Sequence, residues 1–184
     1  GSGQDEVASP ANSGVKCQGY SGSSDLVEPL GVGQSTIYVA SKGQVVRELT
    51  YQFAQDAYQS IDLTVFAHHL LEGHKVVDWT WHDTPYQCAW MVRDDGVLLS
   101  MTYLKEQEVI AWARHDTDGA YESVCCVQEG DEDYLYAIVR RTIQGQTKRF
   151  VERMSTRTFA TPEERYFVDC GGSYDGRINP ATGL

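Results

Sequence analysis

Short runs of apolar and β-branched residues alternate with polar, glycine-containing turns along most of this chain. A strand–turn–strand pattern occurs three times, around the turn glycines Gly43, Gly96 and Gly145, which lie 53 and 49 residues apart. Glycine suits the turn of a tight hairpin because it adopts positive φ angles without steric cost. A repeat of about 40–50 residues is typical of the four-stranded blades of β-propellers. The pattern therefore predicts repeated antiparallel sheets.

The most regular unit covers residues 76–115. Its apolar runs predict strands over 76–82, 86–93, 97–103 and 109–115, separated by short polar turns. In the second of these strands the apolar residues are successive rather than alternate, which predicts that neighbouring layers cover both of its faces.

Less complete versions of this unit lie on either side of it. Residues 37–51 predict a hairpin, and the runs 121–128, 134–141 and 148–154 predict three further strands, with 166–169 as a candidate fourth. We therefore predict an all-β fold with one short helix, namely a partial β-propeller of about two to three four-stranded blades. Because a propeller ring needs about 4–8 blades, we expect the chain to be a piece of a larger repeat protein.

The remaining segments have other compositions. We predict an expression scar at 1–3, a Gly/Ser-rich N-terminal arm at 4–35 with one strand near 15–20, propeller-like blades at 36–155, and an irregular C-terminal segment at 156–184. Residues 58–71 interrupt the blades with a predicted helical insertion. Ser60 or Asp62 is its candidate cap and Gly73 its candidate end. Its apolar face is predicted to consist of Leu63, Phe66, Ala67, Leu70 and Leu71.

Charge and cysteine content narrow the function classes. The 184 residues carry a formal net charge of −11, whereas a nucleic-acid-binding domain normally has a basic surplus, so we predict no specific nucleic-acid partner. The five cysteines include no C-x-x-C pair, which argues against a zinc site and predicts free thiols. Adjacent Cys125 and Cys126 are predicted to point to opposite faces of a strand. No apolar run reaches the ~18–20 residues of a membrane span.

The histidines and carboxylates match no catalytic or metal motif. His68 and His69 are adjacent, whereas a helical zinc pair needs the H-E-x-x-H spacing. The runs Asp94-Asp95-Gly96 and Asp131-Glu132-Asp133 lack the ligand spacing of an EF-hand loop and favour hairpin turns. The lone glycine pair Gly31-Val32-Gly33 lacks the third glycine of a dinucleotide site. We therefore predict no catalytic residue, no metal ligand and no cofactor.

Two His–Asp pairs are compatible with an enzymatic activity. His82-Asp83 and His115-Asp116 each end a predicted strand of the same blade. Such a pair can orient an imidazole for base catalysis, but its recurrence with the repeat favours a structural tie between strand ends. A hydrolase that uses one of the two pairs remains the second alternative to a structural role.

The aromatic residues are compatible with a ligand-binding function. Trp79, Trp81, Trp90 and Trp112 all lie in one predicted blade, where aromatic side chains are typical of the core. Because aromatic rings also stack on sugars, a glycan- or protein-binding β module is the first alternative.

The acidic chain also contains a local basic patch, formed by Arg140, Arg141, Lys148, Arg149 and Arg153. We interpret it as a solvated face paired with Glu152. An acidic partner surface is the alternative.

Several motifs, in order, resemble those of one family. They include WMVRDDGVL at 90–98, LSMTY at 99–103, WARH at 112–115 and RFVERM at 149–154, with shorter matches at 46–49, 62–64, 68–70, 106–107 and 122–124. The chain resembles, over most of residues 32–155, tailed-bacteriophage virion structural proteins of the tail tubular, nozzle-like kind.

The resemblance implies an architecture and a location but no reaction. It implies a non-enzymatic component of a phage tail or head–tail connector, made in the cytoplasm of the bacterial host and located in the virion. The implied partners are other virion subunits, in a homo-oligomeric ring. Because such proteins are much longer than this chain, the resemblance also implies a fragment of a larger repeat protein.

Overall fold

A computed structural model describes residues 22–54 and 56–165 of the chain, and they form three antiparallel sheets and one short helix. In every sheet the strands lie side by side in chain order, as in a simple meander. Sheet 1 contains β1 (Leu30–Val32), β2 (Ser35–Val39), β3 (Val46–Gln52) and β4 (Ala57–Asp62). The helix α1 (His68–Leu71) follows it.

Sheets 2 and 3 follow in the same manner. Sheet 2 contains β5 (Val76–His82), β6 (Cys88–Arg93), β7 (Leu98–Leu104) and β8 (Val109–His115). Sheet 3 contains β9 (Ala120–Glu129), β10 (Glu132–Ile143) and β11 (Gln146–Arg153). The prediction of an all-β fold with one short helix is confirmed.

The three sheets stack face to face, with sheet 2 in the middle. Residues of one parity in β6 and β7, such as Met91 and Met101, join a core with sheet 1 and α1 that includes Ile37 and Leu71. Residues of the other parity join a second core with sheet 3. Its members from sheet 2 are Cys88, Trp90, Val92 and Leu98, and those from sheet 3 are Val124, Leu135, Ala137 and Val139. All six residues of β6 are buried, which explains their continuous apolar run.

The predicted helical insertion at 58–71 is largely wrong. Residues 57–62 form strand β4, which pairs with β3 over six residues, and only His68–Leu71 is helical. Cross-strand pairing with β3 outweighs the helical spacing of the apolar residues. Asp62 ends the strand, since its Oδ1 accepts a hydrogen bond from the Thr64 backbone at 2.7 Å. Phe66, assigned to the buried face, is 97% exposed.

The predicted arm at 4–35 is too long. Its described part contributes β1 and the first residue of β2, so that sheet 1 has four strands rather than the two of the predicted hairpin. Residues 154–165, the described residues that follow β11, contain only a short 3-10 turn, Pro162–Glu164. The predicted strands near 15–20 and at 166–169 lie outside the described residues.

Two turn glycines differ in their surroundings. Gly96 and Gly145 have similar φ angles of 83° and 75°. A Cβ atom at Gly96 would lie 2.5 Å from the Cβ of Ala120 in sheet 3, whereas one at Gly145 would meet nothing within 4 Å. Gly96 therefore serves both its own hairpin and the contact between sheets 2 and 3.

We expect Gly96→Ala to lower the free energy of unfolding more than Gly145→Ala. Gly145→Ala pays only for the left-handed backbone, about 1–2 kcal/mol. Gly96→Ala adds overpacking against Ala120, about 1–3 kcal/mol more. Urea unfolding of both variants measures the difference, and equal losses would contradict the close packing of sheet 3 on this turn.

Candidate functional site

The His–Trp cluster, defined as His82, Trp90, Ser100 and His115, lies between sheets 2 and 3. Trp90 is fully buried, and its Nε1 donates a hydrogen bond to His82 Nδ1 at 3.3 Å. The Trp90 and His115 ring centroids lie 5.0 Å apart. His115 Nε2 and Ser100 Oγ lie 2.8 Å apart. The two predicted histidines and the serine are thus brought together around one tryptophan.

His82 is neutral and fully hydrogen-bonded. Because an indole N–H can only donate, His82 Nδ1 is the acceptor and Nε2 carries the proton. Nε2 donates to the Thr84 carbonyl at 3.1 Å. Burial lowers the pKa of His82, which agrees with a neutral imidazole. Neither ring nitrogen is free to accept a proton from a substrate.

Ser100 and His115 have the spacing of a nucleophile and its base, but they are poorly placed for catalysis. Ser100 is 5% exposed in the middle of β7, so a substrate carbonyl has no approach to its Oγ. Burial, followed by the charge of Arg157, lowers the pKa of His115. The Ser100–His115 hydrogen bond therefore satisfies two polar groups inside the stack.

The aspartates of the two predicted His–Asp pairs form hydrogen bonds with other residues. Asp83 Oδ1 accepts from Trp81 Nε1 at 3.3 Å. Asp116 Oδ1 accepts from Arg114 Nε at 2.9 Å. Among the described contacts, neither carboxylate orients its neighbouring imidazole as a catalytic triad requires.

A narrow cleft beside the cluster is closed by residues 154–157 and by the start of β10. Arg157 lies over the Tyr86 ring, 4.5 Å from its centroid, and its backbone N–H donates to the Tyr86 hydroxyl at 2.9 Å. Asp133 Oδ2 accepts backbone N–H bonds from Asp83 and Thr84, at 2.9 and 3.1 Å. These bonds tie the end of sheet 2 to sheet 3.

One group in the described residues has metal-ligating side chains close together: His74, Asp94 and Asp95. His74 Nδ1 lies 3.0 Å from Asp94 Oδ1, and its Nε2 lies 3.6 Å from Asp95 Oδ2. Arg93 donates to both oxygens of Asp95 and thereby lowers the pKa of that carboxyl. The carboxylates of Asp94 and Asp95 lie by different nitrogens of the His74 ring, and Arg93 already binds the carboxylate of Asp95. The group is therefore an ion-pair cluster.

The Glu48 cluster, formed by Glu48, Lys105, Ser35 and Thr50, links sheet 1 to the turn after β7. Lys105 Nζ donates to Glu48 Oε1 and to Ser35 Oγ, the latter at 2.6 Å. Ser35 Oγ donates to the same Glu48 oxygen at 2.7 Å. Burial alone would raise the pKa of Glu48, but the hydrogen bonds from Lys105, Thr50 and Ser35 bring it to about 2. Because Glu48 and Lys105 lie 57 residues apart in the chain, no sequence pattern predicted that they pair.

The four tryptophans belong to the packing between layers. Trp79 and Trp90 are buried, and Trp81 and Trp112 pack against the first core. A group of more exposed aromatic residues, the aromatic cluster of Tyr51, Phe53 and Tyr58, lies at the β3–β4 hairpin. The ring centroid of Tyr51 lies 4.9 Å from that of Phe53 and 5.2 Å from that of Tyr58. Phe53 is 88% exposed.

The outer face of sheet 3, which points away from sheet 2, combines apolar and charged residues. Ile138 and Val151 are cross-strand partners at its centre and both are exposed, as is Val127 further along β9. Arginine–glutamate pairs lie on both sides of this centre: Arg149 and Arg140 with Glu122, and Arg153 with Glu129. Glu152 pairs with Arg141, which is buried on the opposite face.

The cysteines differ in burial as predicted from their neighbouring positions. Cys125 is exposed, whereas Cys126 packs against the second core beside Cys88. Burial raises the pKa of the Cys88 thiol to about 11 and that of Cys126 to about 12. All three are free cysteines, and Cys17 and Cys170 lie outside the described residues.

No protein-family model matches the chain, and no curated protein sequence matches it significantly. The resemblance to phage tail proteins therefore stays a prediction. In the part of the chain that the structure describes, no helix is long and apolar enough to cross a membrane.

The Glu48 cluster predicts a specific acid sensitivity. The folded pKa of about 2 lies below the ordinary 4.5, so the stabilisation is complete above pH 4.5 and is lost as the pH falls from 4.5 towards 2. We expect Glu48→Gln to cost about 1–3 kcal/mol of unfolding free energy at pH 7 and much less at pH 3. Glu106→Gln, in the same turn as Lys105, is the control and should change little. A pH-independent loss in urea unfolding would contradict the assignment.

Proposed function

We propose that this chain is a non-enzymatic structural module whose stacked sheets act as propeller-like blades in a larger assembly. The observation that carries the proposal is the open-ended stack: sheet 2 is covered on both faces, whereas the outer face of sheet 3 is uncovered in the described residues. Repeated meanders that stack in chain order are the arrangement that further blades would extend.

The outer face of sheet 3 has the composition of a protein interface. Interfaces combine an apolar centre with a polar rim, and here Ile138 and Val151 lie between two sets of arginine–glutamate pairs. We propose that the sheet of a neighbouring subunit packs on this face, in a homo-oligomeric ring. Exposed apolar sheet faces favour such association.

The resemblance supplies the biological setting of the proposal. It supports a component of a phage tail or head–tail connector, located in the virion. The net charge of −11 supports protein partners rather than specific nucleic acid. The closed geometry of the His–Trp cluster supports a non-enzymatic role over the hydrolase alternative, because Ser100 is buried and both nitrogens of His82 are occupied.

We expect Val151→Glu to abolish self-association and to leave the fold intact. Val151 is 74% exposed, so the new charge costs little in the monomer but is desolvated in the interface. Val65→Glu makes the same change at a 54% exposed position outside the sheets and is the control. Sedimentation velocity over a range of protein concentrations measures the association.

Two outcomes would contradict this proposal. A chain that stays monomeric at all concentrations has no self-association through sheet 3. Equal effects of the two substitutions would mean that the outer face of sheet 3 is not the contact.

The aromatic cluster favours a glycan-binding module as the second candidate. Exposed rings stack on the apolar faces of sugars, and Phe53 is supported from the side by Tyr51. Asp56 accepts a hydrogen bond from the Tyr51 hydroxyl and places a carboxylate beside the rings, where it can bind sugar hydroxyls. The hairpin aromatics, and not the tryptophans, are therefore the candidate sugar-binding residues.

If the module binds glycans, Phe53→Ala should reduce binding on a glycan array about tenfold, the loss expected if a sugar stacks on the ring about as strongly as a nucleic-acid base does, on the order of 1–3 kcal/mol. Phe66→Ala is the matched control, since Phe66 is equally exposed but lies in the loop before α1. Binding that persists in Phe53→Ala, or is lost in both variants, would exclude the aromatic cluster as the binding site.

A further inference from the structure

The contact between sheets 2 and 3 contains a hydrogen bond between an indole and an imidazole. Trp90 belongs to the core that these two sheets share, and its indole N–H donates to a histidine nitrogen rather than to a carbonyl. The acceptor exists only while His82 Nδ1 carries no proton. A second proton on His82 would place two N–H groups against each other at a separation of 3.3 Å.

Few groups around His82 can hold a charge. Its Nε2 donates to the Thr84 carbonyl, and its ring lies 5.1 Å from the Tyr86 ring. Asp133 and Glu132 on β10 favour the charged imidazole, whereas Arg157 opposes it. Burial is the strongest influence and lowers the pKa of His82.

His115, on the other side of Trp90, is under similar influences. Burial and Arg157 lower its pKa, Asp116 opposes them, and Ser100 is its hydrogen-bond partner. A protonated His115 could still donate to Ser100 Oγ, whereas a protonated His82 loses the bond to Trp90 outright. His82 is therefore the group at which a proton disrupts the contact.

We propose that protonation of His82 opens the contact between sheets 2 and 3 and exposes the thiols of Cys88 and Cys126. The two thiols report on this contact because both lie in or against its core. The contact between sheets 1 and 2 remains closed in the same range, since its buried acid, Glu48, titrates only at about 2.

The direction of the pH effect follows from proton linkage. The folded pKa of His82 lies below the ordinary 6.5, so the opened form binds the proton more tightly than the closed form. The stability of the contact is complete above pH 6.5 and is lost as the pH falls from 6.5 towards the lowered pKa.

Labelling with 4,4′-dithiodipyridine, followed by peptide mass mapping, tests this device in the intact chain. The exposed Cys125 is the internal reference for the pH dependence of the reagent. We expect the labelling rate of Cys88 relative to Cys125 to rise about tenfold between pH 7.5 and pH 5.0. His82→Gln preserves an acceptor for Trp90 but cannot titrate, so its ratio should stay constant. His74→Gln, outside the contact, should behave as the wild type.

A constant ratio in the wild type, or an equal rise in His82→Gln, would overturn the proposal. If His82→Gln does not fold, NMR titration of the wild-type imidazoles replaces it. The midpoint of Cys88 exposure should then coincide with the titration of His82. A midpoint that follows another histidine would overturn the assignment.

Discussion

The burial of sheet 2 on both faces is the constraint on which the rest of the structure depends. Strand β6 is buried along its whole length, and its successive side chains enter different cores: Met91 faces sheet 1 and Trp90 faces sheet 3. Burying a large apolar side chain is worth about 1.5–3 kcal/mol, so neither outer sheet can leave without exposing a full apolar face. Sheet 2 therefore lies between the other two sheets, because both of its faces must be buried.

Polar groups fix the registers that apolar packing leaves free. Asp78 Oδ2 on β5 accepts bonds from Ser123 Oγ at 2.6 Å and from the Val124 N–H at 2.9 Å. Thr80 Oγ1 accepts a bond from the Cys126 N–H at 3.1 Å. These hydrogen bonds fix the position of β9 relative to β5. The Glu48 cluster fixes the position of sheet 1 relative to sheet 2 in the same way. Buried hydrogen bonds of this kind specify one arrangement of the layers, since leaving either partner unpaired costs free energy.

The local pattern of the sequence was enough to predict the hairpins and the double-sided burial of β6, because both depend on neighbouring residues. The helix prediction failed because the spacing of Leu63, Ala67 and Leu71 reflects contacts with the core, while 57–62 pairs with β3, the strand immediately before it. The clustering of His82, Ser100 and His115 around Trp90 and the Glu48–Lys105 pair depend on the stacking of sheets, which no local pattern encodes. The exposure of the hairpin aromatics depends on which sheet surfaces the stack leaves uncovered, so it too has no local signal in the sequence.

Native-state hydrogen exchange tests the central position of sheet 2 most directly. If sheet 2 is held from both sides, its amides open only when the whole stack unfolds. The account predicts the slowest exchange in 88–93 and 98–104, with faster exchange in both outer sheets. Slowest exchange in sheet 1 or sheet 3, with early opening of β6 and β7, would contradict it.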